Sequence, residues 1–308
     1  MLKRECRPLV FCAVITFGSL LNPFCYGADT PRPKITGIDH VAFYSSAPEA
    51  AKKFYGNLLG LPPGPWDGVY VVGNQNVEME KDSERKDANR IAHVAFATND
   101  AESMRNYLAE HGVTVPAEVH HEKSGTNWFT LKDPEGHDIE FVQANPFKPV
   151  DASRQISTNM IHAGFVVHDR AKMDKFYGGI LGFRLYWQGG MKDGQTDWID
   201  MQVPEGAQWL EYMMQPADAK LDQNILGILN HIALGVTDIH AAAKTLEARG
   251  WKPTEREHAQ LGKDGKWQLN LYDPDGTRVE LMEFTPVEKP CCSEYLLPHP
   301  HPLAGAKQ

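Results

Sequence analysis

Cysteine is scarce. The chain has five in 308 residues, and Cys6, Cys12 and Cys25 all fall near the start. Only Cys291 and Cys292 remain, adjacent and near the end, so there is no disulfide framework and no Cys-x-x-Cys pair to hold zinc. Positive charge is short as well. Lys and Arg number 31 against 40 Asp and Glu, a formal net charge of −9. That argues against a nucleic-acid partner, because phosphate binding needs a basic face. Long apolar runs are missing too. Leu9 to Leu21, interrupted by Thr16, Gly18 and Ser19, falls short of the roughly 20 residues that a spanning helix requires.

That run has a different use. Lys3, Arg4 and Arg7 precede it and Cys25-Tyr26-Gly27 follows it, the charged, apolar and small-residue regions of an export signal. Residues 1–27 are expected to be cleaved, leaving a secreted or periplasmic protein with no membrane segment. Apolar residues make up 42% and charged residues 23%, an ordinary globular balance. The length suits two domains.

Internal repeats set the architecture. Lys53-Phe54-Tyr55-Gly56-Asn57-Leu58-Leu59-Gly60-Leu61 recurs as Lys175-Phe176-Tyr177-Gly178-Gly179-Ile180-Leu181-Gly182-Phe183, at an offset of 122 residues, and His40 and His162 share that offset. Asp133-Pro134-Glu135-Gly136 with Glu140 recurs as Asp273-Pro274-Asp275-Gly276 with Glu280, offset 140, and Ala92-His93-Val94-Ala95 matches Asn230-His231-Ile232-Ala233, offset 138. The chain reads as four units ordered A, B, A′, B′.

Each unit has one grammar. A short β-rich run carries a His: Ile38 to Phe43, Ile91 to Phe96, Met160 to Val167 and Leu229 to Val236. A helix follows. Ser46-Ala47-Pro48-Glu49 has the pattern of a capping box, and Asn99, Asp169 and Asp238 stand where caps belong. Phe54, Leu58 and Leu61 share a face at helical spacing, as do Met104, Tyr107 and Leu108, and Ala242 and Leu246. Short alternating runs then read as strands, with the Asp-Pro-x-Gly turns before the last one. The units are thus β-α-β-β-β and the fold class is α+β. The expected boundaries are 34–85 and 89–145 for the first pair, a linker over 146–158, 159–215 and 227–286 for the second pair, and a tail over 287–308.

This pattern resembles the vicinal oxygen chelate (VOC) superfamily: glyoxalase I, extradiol dioxygenases and bleomycin-resistance-like proteins. The resemblance covers nearly all of the chain beyond residue 27. It implies two tandem glyoxalase-like domains, in each of which paired modules enclose a metal site. His162 and His231 lie on the first strands of the second pair, Glu211 and Glu280 on the last, and each His-to-Glu spacing is 49. Two modules each supplying an imidazole and a carboxylate would give this, and the set suits Fe, Mn, Ni, Co or Zn. The four match the glyoxalase I ligand set; His162, His231 and Glu280 alone also match the extradiol triad. The first pair offers a second set in His40, His93, Glu140 and either Glu78 or Glu80, with strand alignment favouring Glu78. There the first spacing shrinks to 38, so a strand or loop has contracted. One divalent ion is expected in the second domain, with room for another in the first.

The resemblance leaves the reaction open. Four protein ligands leave two positions on an octahedral ion, enough for a substrate with vicinal oxygens. That favours a glyoxalase-like lyase or isomerase working by proton transfer, with Glu211 or Glu280 as base. Ring cleavage by an extradiol-type dioxygenase wants three open positions, and the Tyr its signature places directly before Leu-Tyr-Asp-Pro is Asn270 here. The Arg that glyoxalase I places four residues after its first His is Val166. A metal-free binding protein of the bleomycin-resistance type is the third alternative. By strand alternation Trp198, Asp200, Gln268, Asn270 and Arg278 face the second pocket, implying a small polar or aromatic substrate. Tandem modules complete their sites within one chain, which allows a monomer or a homodimer. Cys291, Cys292, His299 and His301 could bind a soft ion, or the tail could simply pack on the domain.

Overall fold

Alternating apolar and polar residues in short runs, separated by Gly and Asp-Pro turns, produce two mixed sheets. In this computed structural model, residues 30–81, 89–144, 153–192 and 194–303 are described; the expected export signal and residues 146–152 of the expected linker lie outside them. The first sheet has seven strands: β1 (Ile35–Ser45), β2 (Val69–Val72), β3 (Gln75–Lys81), β4 (Ile91–Thr98), β5 (His120–His121), β6 (Asn127–Lys132) and β7 (Asp138–Gln143), in the order β2-β3-β1-β4-β7-β6-β5. The second has eight: β8 (Met160–Val167), β9 (Arg184–Gly189), β10 (Trp198–Gln202), β11 (Trp209–Met214), β12 (His231–Val236), β13 (Gln260–Leu261), β14 (Trp267–Tyr272) and β15 (Arg278–Glu283), in the order β13-β14-β15-β12-β8-β11-β10-β9.

Within each module the first and last strands pair in parallel (β1 with β3, β4 with β7, β8 with β11, β12 with β15), which requires a crossover through the intervening helix. The two modules of each sheet meet at its centre, β1 antiparallel to β4 and β8 antiparallel to β12. Each half is thus a pair of such modules, β-α-β-β-β in all but the first, in the α+β arrangement the repeats predict. The contracted first module has lost a strand: the counterpart of β9 is reduced to a single bridge between Pro63 and Tyr70.

The helices depart from the sequence reading in two ways. In the first and third modules a short α-helix (α1, Pro48–Ala51; α3, Arg170–Met173) widens into a π-helix (Lys52–Leu58; Asp174–Ile180). Leu59 N–H donates to Phe54 O, and Leu181 N–H to Phe176 O. Five-residue closure shifts the buried face, so Tyr55 and Leu59 are fully buried rather than Phe54 and Leu58. Capping differs too. Ala47 is the N-cap of α1 and provides no side-chain bond, because Ser46 is turned to Asp275. For α2 (Ala101–Glu110) the cap is Asp100, while Asn99 Oδ1 accepts from Lys34 N–H. Asp169 and Asp238 cap α3 and α5 (Ile239–Ala248) as expected. A further helix, α4 (Gln223–Leu229), capped by Asp222, leads into β12.

One apolar core runs through both halves, from Ile35 and Phe96 to Tyr177, Phe183 and Leu281. The repeated motifs lock the halves together. Tyr55 of the first half donates to Asp273 of the second at 3.0 Å, and Tyr177 of the second to Asp133 of the first at 3.2 Å. Beside them, Ser45 and Ser46 bond Asp275, and the His168 and Asp169 amides bond Glu135. The Lys-Phe-Tyr-Gly and Asp-Pro-x-Gly repeats are therefore reciprocal docking elements as well as a helix and a turn.

Candidate metal centres

Strand alternation places every second residue of the inner strands on one face. In the second sheet this brings together His162 from β8, Glu211 from β11, His231 from β12 and Glu280 from β15. His162 Nε2 lies 3.0 Å from His231 Nε2, 3.5 Å from Glu280 Oε2 and 3.7 Å from Glu211 Oε2. His231 Nε2 lies 3.1 Å from Glu211 and 3.8 Å from Glu280. In the first sheet His40 Nε2 lies 2.9 Å from His93 Nε2 and 3.7 Å from Glu140 Oε1. Donors bound to one ion at roughly 2.0–2.2 Å stand about 3 Å apart when adjacent. The triads His40, His93, Glu140 and His162, His231, Glu280 each have ligand atoms within 4.8 Å of one another, so both donor sets fit a divalent ion.

The ring orientations also fit. His231 Nδ1 faces Leu229 O at 2.8 Å, and His40 Nδ1 faces Asp39 Oδ1 at 2.8 Å. Such partners turn Nε2 toward a ligand and fix its lone pair there. Glu80 lies on the Nδ1 side of His93, at 3.5 Å, behind the imidazole. Glu78 instead lines the cavity with His40, His93 and Glu140.

One position separates the two sets. Gly164 on β8 pairs with both Glu211 and His231, and a Cβ there would stand 2.4 Å from His231 Cε1 and 3.2 Å from Glu211 Oε2. Its counterpart on β1 is Ala42, which pairs with both Glu78 and His93. The missing methyl lets Glu211 close on His231. The methyl of Ala42 occupies the equivalent place in the first sheet. Neither three-residue cluster includes the remaining carboxylate, Glu78 or Glu211, but Glu211 lies within 4 Å of both imidazoles.

Burial shapes the titration of these groups. Desolvation holds the His162 and His231 imidazoles well below their usual range and raises the Glu280 carboxyl to about 8. In the first set, burial lowers His93 to about 3 and raises Glu140 to about 7. Burial would also lower His40, but the hydrogen bond to Asp39 and the charges of Glu78, Asp39 and Glu140 outweigh it and raise His40 to about 9. Without an ion, the first cup keeps a proton on His40, between the donors.

The cavities above the clusters differ sharply. The first has a volume of about 450 Å³ and is walled by Pro65, Trp66, Trp128 and Val142. The second has about 90 Å³. Of the residues expected in it, Trp198, Asp200, Gln268 and Arg278 line it. Asn270 does not; it pairs with Glu280 across β14 and β15, and its Oδ1 is buried without a partner. Residues from β9 and β10 share this cavity with residues from β14 and β15, so the sheet curves until its two ends face each other.

Several residues here escape the sequence reading. Trp187 and Trp209 line the second cavity; Trp209 sits two residues before Glu211 on the same face, a signal alternation could have supplied. Asn76 precedes Glu78 in the same way. Lys266 gave no signal. It is fully buried, bonds Tyr186 OH at 3.1 Å and lies 4.7 Å from the Trp209 ring centre. Arg278 Nη2 donates to His231 Nε2 at 2.7 Å. The tail packs behind residues that line this cavity. Leu296 N–H donates to Tyr186 O, Cys291 N–H to Lys263 O, and Tyr295 OH to Asp264 O, so the tail straps β9 to the turn before β14 and packs Tyr295 and His299 on Tyr186. Cys291 and Cys292 are joined to each other, and His299 Nδ1 is hydrogen-bonded with Tyr186 OH. Packing, rather than a soft-metal cluster, describes this segment among the described residues.

Paired modules of this kind around a His and carboxylate cluster define one class of α+β protein. The family model "Glyoxalase/Bleomycin resistance protein/Dioxygenase superfamily" matches residues 67–141 and 159–281, and the chain belongs to this family. Among solved structures it is similar to homoprotocatechuate 2,3-dioxygenase from Brevibacterium fuscum in complex with 3,4-dihydroxyphenylacetate, at 18% identity and a TM-score of 0.62, covering 82% of each chain. A variant of the same enzyme gives 17% identity and a TM-score of 0.63, over 86% of this chain and 74% of that one. At such identity the likeness is one of fold. No curated protein matches the sequence.

Proposed function

We propose that this chain is an exported, divalent-metal-dependent enzyme whose first cup binds a small aromatic molecule through two adjacent oxygens, with ring-cleaving dioxygenation as the reaction. The observation that carries this reading is the cluster of His40, His93 and Glu140 at a cavity of about 450 Å³ with tryptophan walls. That volume lies in the range of small-molecule sites, roughly 300–1,000 Å³. Three protein donors leave three positions on an octahedral ion, room for two substrate oxygens and dioxygen. A divalent ion held there supplies Lewis acidity at the substrate oxygens. The protein's part is positional: Trp66 and Trp128 flank the ring, Asp39 holds the His40 ring in place, and Glu78 faces the cavity as a proton acceptor.

A second reading belongs to the other cup. There Glu211 stands 3.1 Å from His231, beside the three-residue cluster of His162, His231 and Glu280, and the cavity of about 90 Å³ admits only a very small ligand. This supports metal-assisted proton transfer of the glyoxalase type, with Glu211 or Glu280 as base. Two measurements separate the readings: metal per chain by mass spectrometry, and oxygen uptake with a panel of catechols. The leading proposal expects uptake that His93→Ala abolishes and His231→Ala spares. Uptake lost only in His231→Ala, or no oxygen consumed by any metal-loaded form, would overturn it. The exported location is supported by the pattern of residues 1–27, and retention of that segment by protein recovered outside the cytoplasm would count against its cleavage.

A further inference from the structure

The two cups differ in the charge they present. Among the described residues lining the first are Asp39, Glu78, Glu122 and Glu140, with no lysine or arginine. The second sets Lys263 and Arg278 beside its carboxylates. A divalent ion would balance two of the four carboxylates in the first cup and leave the other two. Field lines concentrate in a cleft of one sign with low-dielectric walls, so that excess acts on whatever enters.

A second feature points the same way. Asn76 is 1% exposed and lines the first cavity, and its Oδ1 has no hydrogen-bond partner. A buried carbonyl oxygen left without a donor is costly, and a ligand that brings an N–H or O–H removes the cost. A carboxylate brings neither. The aromatic walls add to this preference. Trp66 is 54% exposed at the cavity, and Trp128 stacks on His120 with ring centres 4.2 Å apart. The face of a tryptophan attracts cations and repels anions.

We propose that the first cup selects an aromatic vicinal diol bearing an ammonium group and discriminates against diols bearing a carboxylate. The inference rests on the reading of that cup as the substrate site and narrows it to one charge class. It sets this chain apart from its structural neighbour, whose complex contains the carboxylate 3,4-dihydroxyphenylacetate.

The test compares two matched catechols, dopamine and 3,4-dihydroxyphenylacetate, by calorimetry at neutral pH on the full chain loaded with Zn²⁺. Zinc has no redox chemistry, so the readout is binding alone. The same titration on His93→Ala supplies the baseline for the first cup. Dopamine is expected to bind at least tenfold more tightly. Glu122→Lys alters an exposed side chain, spares the fold, and should narrow the ratio severalfold by weakening dopamine and strengthening the acid. Equal affinities, or tighter binding of the acid, would overturn the charge selection and leave the diol site standing. Binding of neither catechol above the His93→Ala baseline would overturn both.

Discussion

Gly164→Ala tests whether one absent methyl lets His231 stand where it can hold an ion in the second cup. The added Cβ would stand 2.4 Å from His231 Cε1 and 2.7 Å from its Nδ1, where ordinary contact begins at 3.4 Å, so the ring has to retreat by about 1 Å. It has nowhere to go without loss. His231 is fully buried and its Nδ1 is tied to Leu229 O at 2.8 Å. Overpacking of this kind costs about 1–3 kcal/mol, and metal–ligand distances tolerate only about 0.2 Å. Affinity for the ion at the second cup should fall about 100-fold, equivalent to roughly 3 kcal/mol, while the first cup keeps its own. Competition against a chelator, followed by counting ions per chain, reads this directly: two ions should become one. Ala42→Gly should do the reverse, letting Glu78 approach His93 and tightening the first site. Unchanged affinity at the second cup in Gly164→Ala would refute the argument, since it would mean that the ring yields freely or that His231 holds no ion.

Two further predictions concern protons and docking. Glu280, raised to about 8 by burial, carries a proton below that pH which an incoming ion must displace; His162 and His231 are neutral and release none. In the first cup both His40, at about 9, and Glu140, at about 7, must give up protons. Metal affinity should therefore fall with acidity at both sites. Below pH 7 it should fall about tenfold per unit at the second and nearer 100-fold at the first; two-site titrations at pH 6 and 7 check this, and equal slopes would contradict it. Tyr55→Phe removes the hydroxyl donor to Asp273, a buried carboxylate, and should cost about 1–3 kcal/mol of stability in urea unfolding. Tyr177→Phe should match it through Asp133, and a change within 0.3 kcal/mol for either would show that the latch between the halves is slack.

The repeats make the scaffold legible in the sequence. Period-two alternation on β8, β11, β12 and β15 was enough to put His162, Glu211, His231 and Glu280 on one face, because a strand's side-chain direction is a local property. The shortened first module was visible as a spacing, and it proved to be a strand reduced to the bridge at Pro63. The helices are less legible. Five-residue closure in both Lys-Phe-Tyr-Gly segments moved burial from Phe54 to Tyr55, and regular helical spacing cannot anticipate a π-turn. The capping role given to Ser46 failed because Asp275, more than 200 residues away, competes for it.

The sequence by itself determined four modules, their pairing, and which imidazoles and carboxylates share a face, since these follow from repetition and from strand geometry. Only the tertiary structure decided which cup is open. The tail's strap from β9 to the Lys263 turn, the guanidinium of Arg278 against His231 and the Lys266 ammonium among Tyr186, Trp209 and Tyr295 all join residues distant along the chain. Such contacts leave no period or spacing to read, because they arise where surfaces meet after the sheets have formed.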